Sequence, residues 1–269
     1  MFNIHYFRFY LVAVLMWPYI FTNAYYYCDK QYKLCGDKKH FMCDPDAVPS
    51  EGELLGLLPL TGSIKRLYVD RHNEYRNKLA GGDQEFEGGG KFPKATRMRE
   101  MIWDDELAYL AGMHAKRCSI FRADCHAATR FPDSNQVLWH REFEEKPKEV
   151  IDMILHSVHS WWSESKHIED GNAMVDEYPD GLNVTITAHF SAIAYEHAAF
   201  VGCGLSICRN RSQKPYCIHV TCNYSATNVN GTFTYKKGNS SASECDYYES
   251  VPSHKYANLC KNTGKIFIN

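Results

Sequence analysis

Apolar residues recur at helical spacing in three segments of the chain, and we predict a helix for each. The first, SIKRLYVDRHNEYRNKLAGG, starts at Ser63 as a possible N-cap and stops at a pair of glycines. The second, WDDELAYLAGMHAKRC, carries acidic residues in its first turn, where they suit the helix dipole, and delivers Cys118 at its end. The third, KPKEVIDMILHSVHSWWSESKH, places Pro147 in its first turn and has one continuous apolar face.

Two apolar runs flank a polar tip in AAFVGCGLSICRNRSQKPYCIHVTCNY, and this pattern predicts a β-hairpin. Facing residues of an antiparallel pair keep a constant sum of residue numbers. One register therefore places Cys203 opposite Cys222 and Cys208 opposite Cys217, and we predict a disulfide for each pair. Pairs five residues apart occupy opposite faces of a regular ladder, so we also expect a bulge or a loop position at the outer pair.

The N-terminal segments have no sustained period. His5 and Arg8 precede an apolar run that ends in small residues before Ala24, so we predict that residues 1–24 are a secretory signal peptide and that the mature protein is secreted and extracellular. The apolar run is too short to span a bilayer, and we expect no stable membrane insertion. Residues 25–62 contain three cysteines, several prolines and glycines, and read as an irregular arm that needs disulfides to hold it.

Composition supports an extracellular protein and excludes one class of partner. The chain of 269 residues contains 11 cysteines, an odd number, and in an oxidising compartment nearby thiols form disulfides. Asn223 lies in a probable strand and is discounted as a glycosylation site. The remaining sequons are Asn183, Asn210, Asn230 and Asn239. A net charge of −2 provides no basic patch, so we expect no nucleic-acid partner.

Five ordered motifs resemble the CAP superfamily of cysteine-rich secretory, antigen-5 and pathogenesis-related proteins. They are HNEYRN, MIWDDELAYLAGMHAKRC, WWSE, AHFSAIAY and HVTCNYSATNVNG. Within the superfamily they resemble the antigen-5 branch, known from insect venoms and saliva. The resemblance implies an α+β fold, a three-layer α-β-α sandwich, over residues 63–235. Residues 236–269 would form a short C-terminal tail that carries two cysteines.

The family has a central groove in which two histidines and two acidic residues meet, and in some members they bind a divalent cation. By resemblance, His189 of AHFS and Glu164 of WWSE match two of these positions. Arg122 stands at the first histidine position, and Gln136 stands at the second acidic one. Because a guanidinium stays protonated and repels a cation, we predict that the metal site is absent or badly weakened, with Glu164 and His189 as weak candidate ligands.

Two interpretations of the groove pair remain open. Glu164 and His189 could act as an acid and a base, or they could be a hydrogen-bonded couple that holds the third helix to the hairpin layer, with Arg122 as an ion-pair partner of Glu164. We favour the structural interpretation because no substrate group is identified. His156 and His159, three residues apart on the third helix, could likewise bind a metal but are more typical of a helix interface.

The resemblance also assigns the remaining disulfides. It pairs Cys28 with Cys43 and Cys35 with Cys125, and Cys245 with Cys260 closes the tail. Cys118 is then left as a free thiol, either buried as a small apolar group or bridged to another chain.

The function that this resemblance implies is non-enzymatic binding. We expect a secreted monomer without a cofactor or a catalytic residue, binding an unidentified protein or a small lipid, because members of the superfamily bind sterols, fatty acids or leukotriene-like lipids. The alternative is a metal-dependent hydrolase or redox protein that uses the central groove. No Gly-x-Ser-x-Gly or His-Glu-x-x-His motif supports that alternative.

Overall fold

A five-stranded sheet forms the middle layer of the molecule. The structure is a computed structural model that describes residues 22–179, 184–210 and 214–267. The strands are β1 (Gly52–Leu57), β2 (Ile102–Trp103), β3 (Asn135–Phe143), β4 (Phe200–Asn210) and β5 (Tyr216–Tyr224). Their order across the sheet is β1-β4-β5-β3 with antiparallel neighbours, and the short β2 pairs with β4 in parallel.

Helices cover both faces of this sheet. They are α1 (Thr22–Asp29), α2 (Gln31–Cys35), α3 (Gly62–Ala80), α4 (Asp105–Ala115), α5 (Asp152–Ser163), α6 (Gly171–Asp176) and α7 (Val184–Ala194). Helix α4 packs on one face, against β4 and β5, while α3, α5 and α7 pack on one another against the other face. The predicted α-β-α sandwich is therefore confirmed. In the described part of the chain, no helix is both long and apolar enough to cross a membrane.

Two glycines let α4 lie close to the sheet. A Cβ at Gly202 would come within 2.1 Å of the Ala108 backbone nitrogen, and one at Gly204 within 2.6 Å of the Gly112 Cα. The helix begins where Asp104 accepts hydrogen bonds from the backbone N–H groups of the first turn. Helix α4 thus runs directly along the face of β4 to which residues 202 and 204 belong.

The main hydrophobic core lies on the other face of the sheet. Ile154, Val158 and Trp161 of α5 are buried there with Phe190 of α7 and Val137 of β3, as the apolar face of the third predicted helix requires. Helix α5 begins at Asp152 rather than near Pro147, and its last turn continues as a 3-10 turn, Glu164–His167. Strand β3 was not predicted from the sequence.

The N-terminal arm is more regular than its sequence suggests. Its residues 52–57 form β1, an edge strand that pairs with β4, and the single register shift of that pairing lies between Leu54 and Gly56. Tyr27, Phe41 and Val48 of the arm are buried against α4 in a second core. Most of the predicted signal peptide lies outside the described residues.

Four of the expected disulfides are present in the structure. Bridges Cys28–Cys43 and Cys35–Cys125 fix the arm, Cys203–Cys222 joins β4 to β5, and Cys245–Cys260 closes the tail. The fifth expected bridge is wrong, as is the assignment of Cys118 as the free thiol. The structure pairs Cys118 with Cys208, at a Cα–Cα distance of 6.0 Å, and leaves Cys217 as a buried free cysteine.

Strand geometry explains this correction. The predicted register is present, with Cys203 facing Cys222 and Cys208 facing Cys217, but the ladder between them has no bulge. The two pairs therefore point to opposite faces of the sheet. Cys208 shares the face covered by α4, and Cys118 follows that helix by three residues. The α4 face thus brings Cys118 to Cys208, and Cys217 opposite Cys208 is left without a bridge.

Candidate functional site

The carboxylate of Glu164 is fully engaged by helix α7. Glu164 follows the last residue of α5, and this position brings it to His189. One carboxylate oxygen lies 2.5 Å from the His189 Nδ1. The other accepts hydrogen bonds from the backbone N–H groups of His189, at 2.9 Å, and Phe190, at 3.0 Å. This arrangement joins α5 to α7, as the structural interpretation of the pair expects.

The imidazole of His189 is positioned by an aromatic neighbour. It stacks on Trp161 with ring centroids 6.1 Å apart, and Trp161 in turn donates its indole N–H to the Leu138 carbonyl of β3. His189 is partly accessible, with 27% of its side chain exposed, and Glu164 has 18% exposed. The groove pair is therefore an ordered, half-buried couple at the surface.

Arg122 lies at the same groove, but it is not the ion-pair partner that the sequence suggested. Within the described residues it forms no salt bridge with Glu164, and its Nη2 donates instead to the Asn135 side-chain oxygen at 3.4 Å. Much of the Arg122 side chain is accessible. Partial desolvation of its guanidinium lowers the pKa, and the nearby Tyr178 and Glu164 act in the opposite direction. A permanent cation thus faces the groove carboxylate without touching it.

The prediction that Gln136 lines the groove is wrong. Its side chain is fully buried, accepts a hydrogen bond from the Ala123 backbone and donates to Asn223. Asn223 continues this chain to the Leu107 carbonyl of α4. Successive residues of a strand point to opposite faces, so Asn135, one residue earlier, is the one that shares the groove face. The groove therefore has Asn135 where a second carboxylate was sought.

Sequence reasoning also missed Tyr178. This buried tyrosine lies near both Arg122 and Glu164, and desolvation raises its pKa while Ser191 and Arg122 oppose the change. Ser191 donates to the Thr187 carbonyl within its own helix, so its hydroxyl is not poised beside His189. No sequence motif surrounds Tyr178. Its position beside the groove becomes visible only in the folded structure, where segments distant in sequence lie close together.

The side chains of this groove do not fit a divalent cation. An imidazole and one carboxylate remain of the family's set, and their facing oxygen and nitrogen already bond to each other. Elsewhere in the described residues, clusters that could surround an ion involve Cys35, His40 and Cys125, or Cys208, Cys217 and His219. Cys35 and Cys125 of the first cluster bridge each other, and Cys208 of the second is bridged to Cys118 while Cys217 is free. The loss of the metal site stays a prediction.

Of the paired histidines of α5, His159 belongs to a helix contact, whereas His156 is exposed. The Nδ1 of His159 lies 2.8 Å from the Tyr75 hydroxyl of α3, and its Nε2 lies 3.4 Å from Ser163. Desolvation lowers the pKa of His159, and Arg71, Lys166 and His156 lower it further. These contacts favour the interface interpretation over a metal pair.

The predicted glycosylation sites differ in accessibility. Asn223 is fully buried, in keeping with its exclusion, whereas Asn230 and Asn239 are exposed. The Asn210 side chain donates to Glu142. Asn183 lies outside the described residues.

Comparison with known proteins agrees with this fold. A family model described as "CAP: Cysteine-rich secretory protein family" matches residues 69–224, and the chain belongs to this family. The chain is 28% identical over 260 residues to Venom allergen-1 of Aedes albopictus, covering 95% of each protein. It is 32% identical over 149 residues to Antigen 5 like allergen Cul n 1 of Culicoides nubeculosus, covering 55% of this chain and 64% of that one. These relatives confirm the antigen-5-like assignment.

A solved structure confirms the fold independently. The structure of BmVAL-1 superposes with a TM-score of 0.63 at 20% sequence identity, covering 78% of this chain and 98% of that one.

Proposed function

We propose that this chain is a secreted, non-enzymatic antigen-5-like protein that binds a host or partner ligand on a rigid disulfide scaffold. The observation that carries the proposal is the engagement of Glu164. Its carboxylate accepts from two backbone N–H groups and bonds to the Nδ1 of His189, so both of its oxygens are bonded within the scaffold and only the Nε2 of His189 remains for another partner. General acid-base catalysis needs positioned titratable groups within reach of a substrate proton, and Arg122 and Asn135 stand where the family has its other histidine and acid.

The scaffold supports a binding role. Five disulfides connect the arm, the helix α4, the hairpin and the tail, and they span from residue 28 to residue 260. Disulfides of this density suit an oxidising, extracellular compartment, and relatives of the chain carry venom-allergen names. Candidate ligands are a protein or a small lipid. A rigid surface suits either of them, because it loses little conformational entropy on binding.

The test uses the full chain, expressed in insect cells with its own N-terminal segment and recovered from the medium. Lipids and other small molecules extracted from the purified protein are identified by mass spectrometry. In parallel, ester, peptide and peroxide substrates are supplied with and without Zn²⁺. We expect co-purifying ligand above the level of a mock purification, and no turnover beyond that of a heat-denatured sample.

The matched variant is His189→Gln, which removes the imidazole and keeps a hydrogen-bonding side chain. We expect the native protein and the variant to show the same background rate of conversion for each substrate. A turnover that Zn²⁺ stimulates and His189→Gln abolishes would assign the groove to catalysis and overturn the proposal. Retention of the chain inside the cells would overturn its secreted part.

A further inference from the structure

A second concave site lies between the C-terminal tail and the start of β4. Its volume is about 340 Å³, which is within the range of small-ligand pockets. Aromatic side chains form part of its walls, and Arg99 lies at its floor. We call it the tail pocket, and its defining residues are Arg99, Phe131, His197, Phe200, Val229 and Phe267.

The floor of the tail pocket is a buried guanidinium that has no carboxylate partner. Arg99 is 3% exposed and is held between two rings, 4.2 Å from the Tyr248 centroid and 5.0 Å from the Phe267 centroid. Its Nη1 donates to the Lys265 carbonyl at 3.1 Å. Its Nε is buried without a hydrogen-bond partner, and among the described residues Arg99 forms no salt bridge. A guanidinium has five N–H donors, and within the described residues the Nη1 bond to Lys265 is the one hydrogen bond that Arg99 donates from its side chain.

The surroundings of Arg99 contain more cations than anions. Arg76 is fully buried, and its partners among the described residues are backbone carbonyls, including that of Arg99. Glu196, also fully buried, is the nearby carboxylate, and Arg97 contacts it at 2.9 Å. Its oxygens further accept from the Tyr248 hydroxyl and the Lys236 backbone N–H. In the described part of the chain, Glu196 is thus the one carboxylate of this cluster. It is already hydrogen-bonded, and it faces the guanidiniums of Arg76, Arg97 and Arg99.

The field of these cations reaches His197, which lines the tail pocket. Desolvation lowers the pKa of His197; Glu196 opposes this, and Arg97, Arg99 and Arg76 add to the lowering. At the mouth, Arg130 is already compensated by Asp104 and by Glu106, and Asp133 lies exposed on the rim. The uncompensated positive charge is therefore at the floor, where an entering anion would lose its water.

We propose that the tail pocket binds a small aromatic carboxylate, with its carboxylate on the free edge of Arg99 and its ring against the phenylalanine walls. A buried charge is destabilising unless it is paired, and an Arg–carboxylate contact is a charge-assisted bond with matched geometry. Phe131 and Phe200 already pack 5.1 Å apart and offer the tilted faces that a further ring prefers. The inference deepens the proposed binding function by naming a site and a ligand class.

The test measures binding of phenylacetate and of phenylacetamide, its neutral counterpart, to the full secreted chain by calorimetry and protein NMR. We expect phenylacetate to bind at least roughly tenfold more tightly, with shifts of the His197 and Phe267 signals. Arg99→Met should remove this preference. Arg141→Met is the matched control, because Arg141 also packs on a phenylalanine but is exposed on β3. It should bind phenylacetate as the native chain does.

Several outcomes would overturn the inference. They are equal binding of the acid and the amide, no binding of either, retention of the preference in Arg99→Met, or equally tight binding of inorganic phosphate, which would indicate an anion site without an aromatic ligand. If Arg99→Met fails to fold, the acid-to-amide comparison on the native chain and the signal shifts still decide the question. Co-purifying lipid without phenylacetate binding would leave the proposed function standing and the tail pocket refuted, whereas phenylacetate binding together with groove-dependent turnover would do the reverse.

Discussion

The central groove and the tail pocket both hold buried or half-buried charges, but they treat them in opposite ways. In the groove, Glu164 bonds to the Nδ1 of His189 and to two backbone N–H groups, so both oxygens of its carboxylate have partners. In the tail pocket, Arg99 has an unpaired Nε and no carboxylate in direct contact within the described residues. The Glu164 carboxylate of the groove is therefore paired, whereas the Arg99 guanidinium of the tail pocket has no carboxylate partner within the described residues.

The difference is between a polar group that is bonded within the protein and a charged group that lacks a partner. A carboxylate bonded in this way fixes the relative position of two helices. An uncompensated guanidinium destabilises the free protein, and a bound anion would remove that penalty. We therefore expect the tail pocket, rather than the groove, to be the ligand-binding region of this chain.

The largest expected effect comes from removing the carboxylate of the cationic cluster. Glu196→Gln leaves the guanidiniums of Arg76, Arg97 and Arg99 without any engaged anion. We expect a loss of about 3–5 kcal/mol in the free energy of unfolding, because breaking a buried pair leaves an uncompensated charge. Urea unfolding followed by tryptophan fluorescence measures it. The control is Glu53→Gln at an exposed position, and a loss from Glu196→Gln no larger than the control's would mean that the cluster is well solvated.

Breaking the groove couple should have a smaller effect. Glu164→Ala removes the acceptor of two backbone N–H groups and of His189, and we expect a loss of about 1–3 kcal/mol. Both side chains are partly exposed, so water can replace some of the lost bonds. A double-mutant cycle with His189→Ala, measured by the same unfolding assay, should show that the two losses are not additive. Strict additivity would contradict the structural couple.

Acid should weaken the fold through histidines whose pKa is lowered. Desolvation lowers the pKa of His72, His114, His126 and His219 to about 4. Below the ordinary value of about 6.5, the unfolded chain binds protons that the folded chain does not, so stability is lost as pH falls from there toward 4.

His197, which lines the tail pocket, also contributes to the loss of stability in acid. Its pKa is lowered in a setting that contains Glu196, Arg97, Arg99, Arg76 and the Tyr248 hydroxyl. His197→Gln should therefore make the fall of unfolding free energy with acid shallower. Phenylacetate should act in the same direction in the native chain, because a bound anion raises the pKa of His197. An unchanged pH profile in both experiments would remove His197 from the tail pocket's electrostatics.

Local periodicity predicted α3, α4 and α5, and the spacing of four cysteines predicted the hairpin register, because both depend on residues close together in the chain. The groove pair was predictable because WWSE and AHFS resemble the family motifs that carry the groove acid and histidine. Other features depend on a strand face that sequence does not reveal. Strand β3 was missed, and with it the choice between Asn135 and Gln136, because a one-residue shift exchanges the faces.

The tail pocket was not predictable at all. Its residues come from the segment before β2, the loop after α4, the turn after β5 and the last described residues of the tail. Each is unremarkable by itself, and Arg99 looks like a surface cation in RMREMIW. Only the packed tail, closed by Cys245–Cys260, turns these residues into a site.

The smallest expected effect concerns Cys217, a buried polar side chain without charge that serves as a reference for both regions. Burial, with Glu142 and Glu51, raises the pKa of its thiol to about 11, so the group is neutral at physiological pH. Cys217→Ser should change the free energy of unfolding by less than about 1 kcal/mol, since the new hydroxyl can meet the nearby His219. Cys208→Ser, directly across the ladder, should lose about 2–5 kcal/mol because it breaks the bridge to Cys118. Thiol labelling of the denatured native chain should tag Cys217 and not Cys118. Equal losses from the two variants would instead mean that Cys208 and Cys217 are bridged to each other, and that parity of strand faces does not govern disulfide choice in this hairpin.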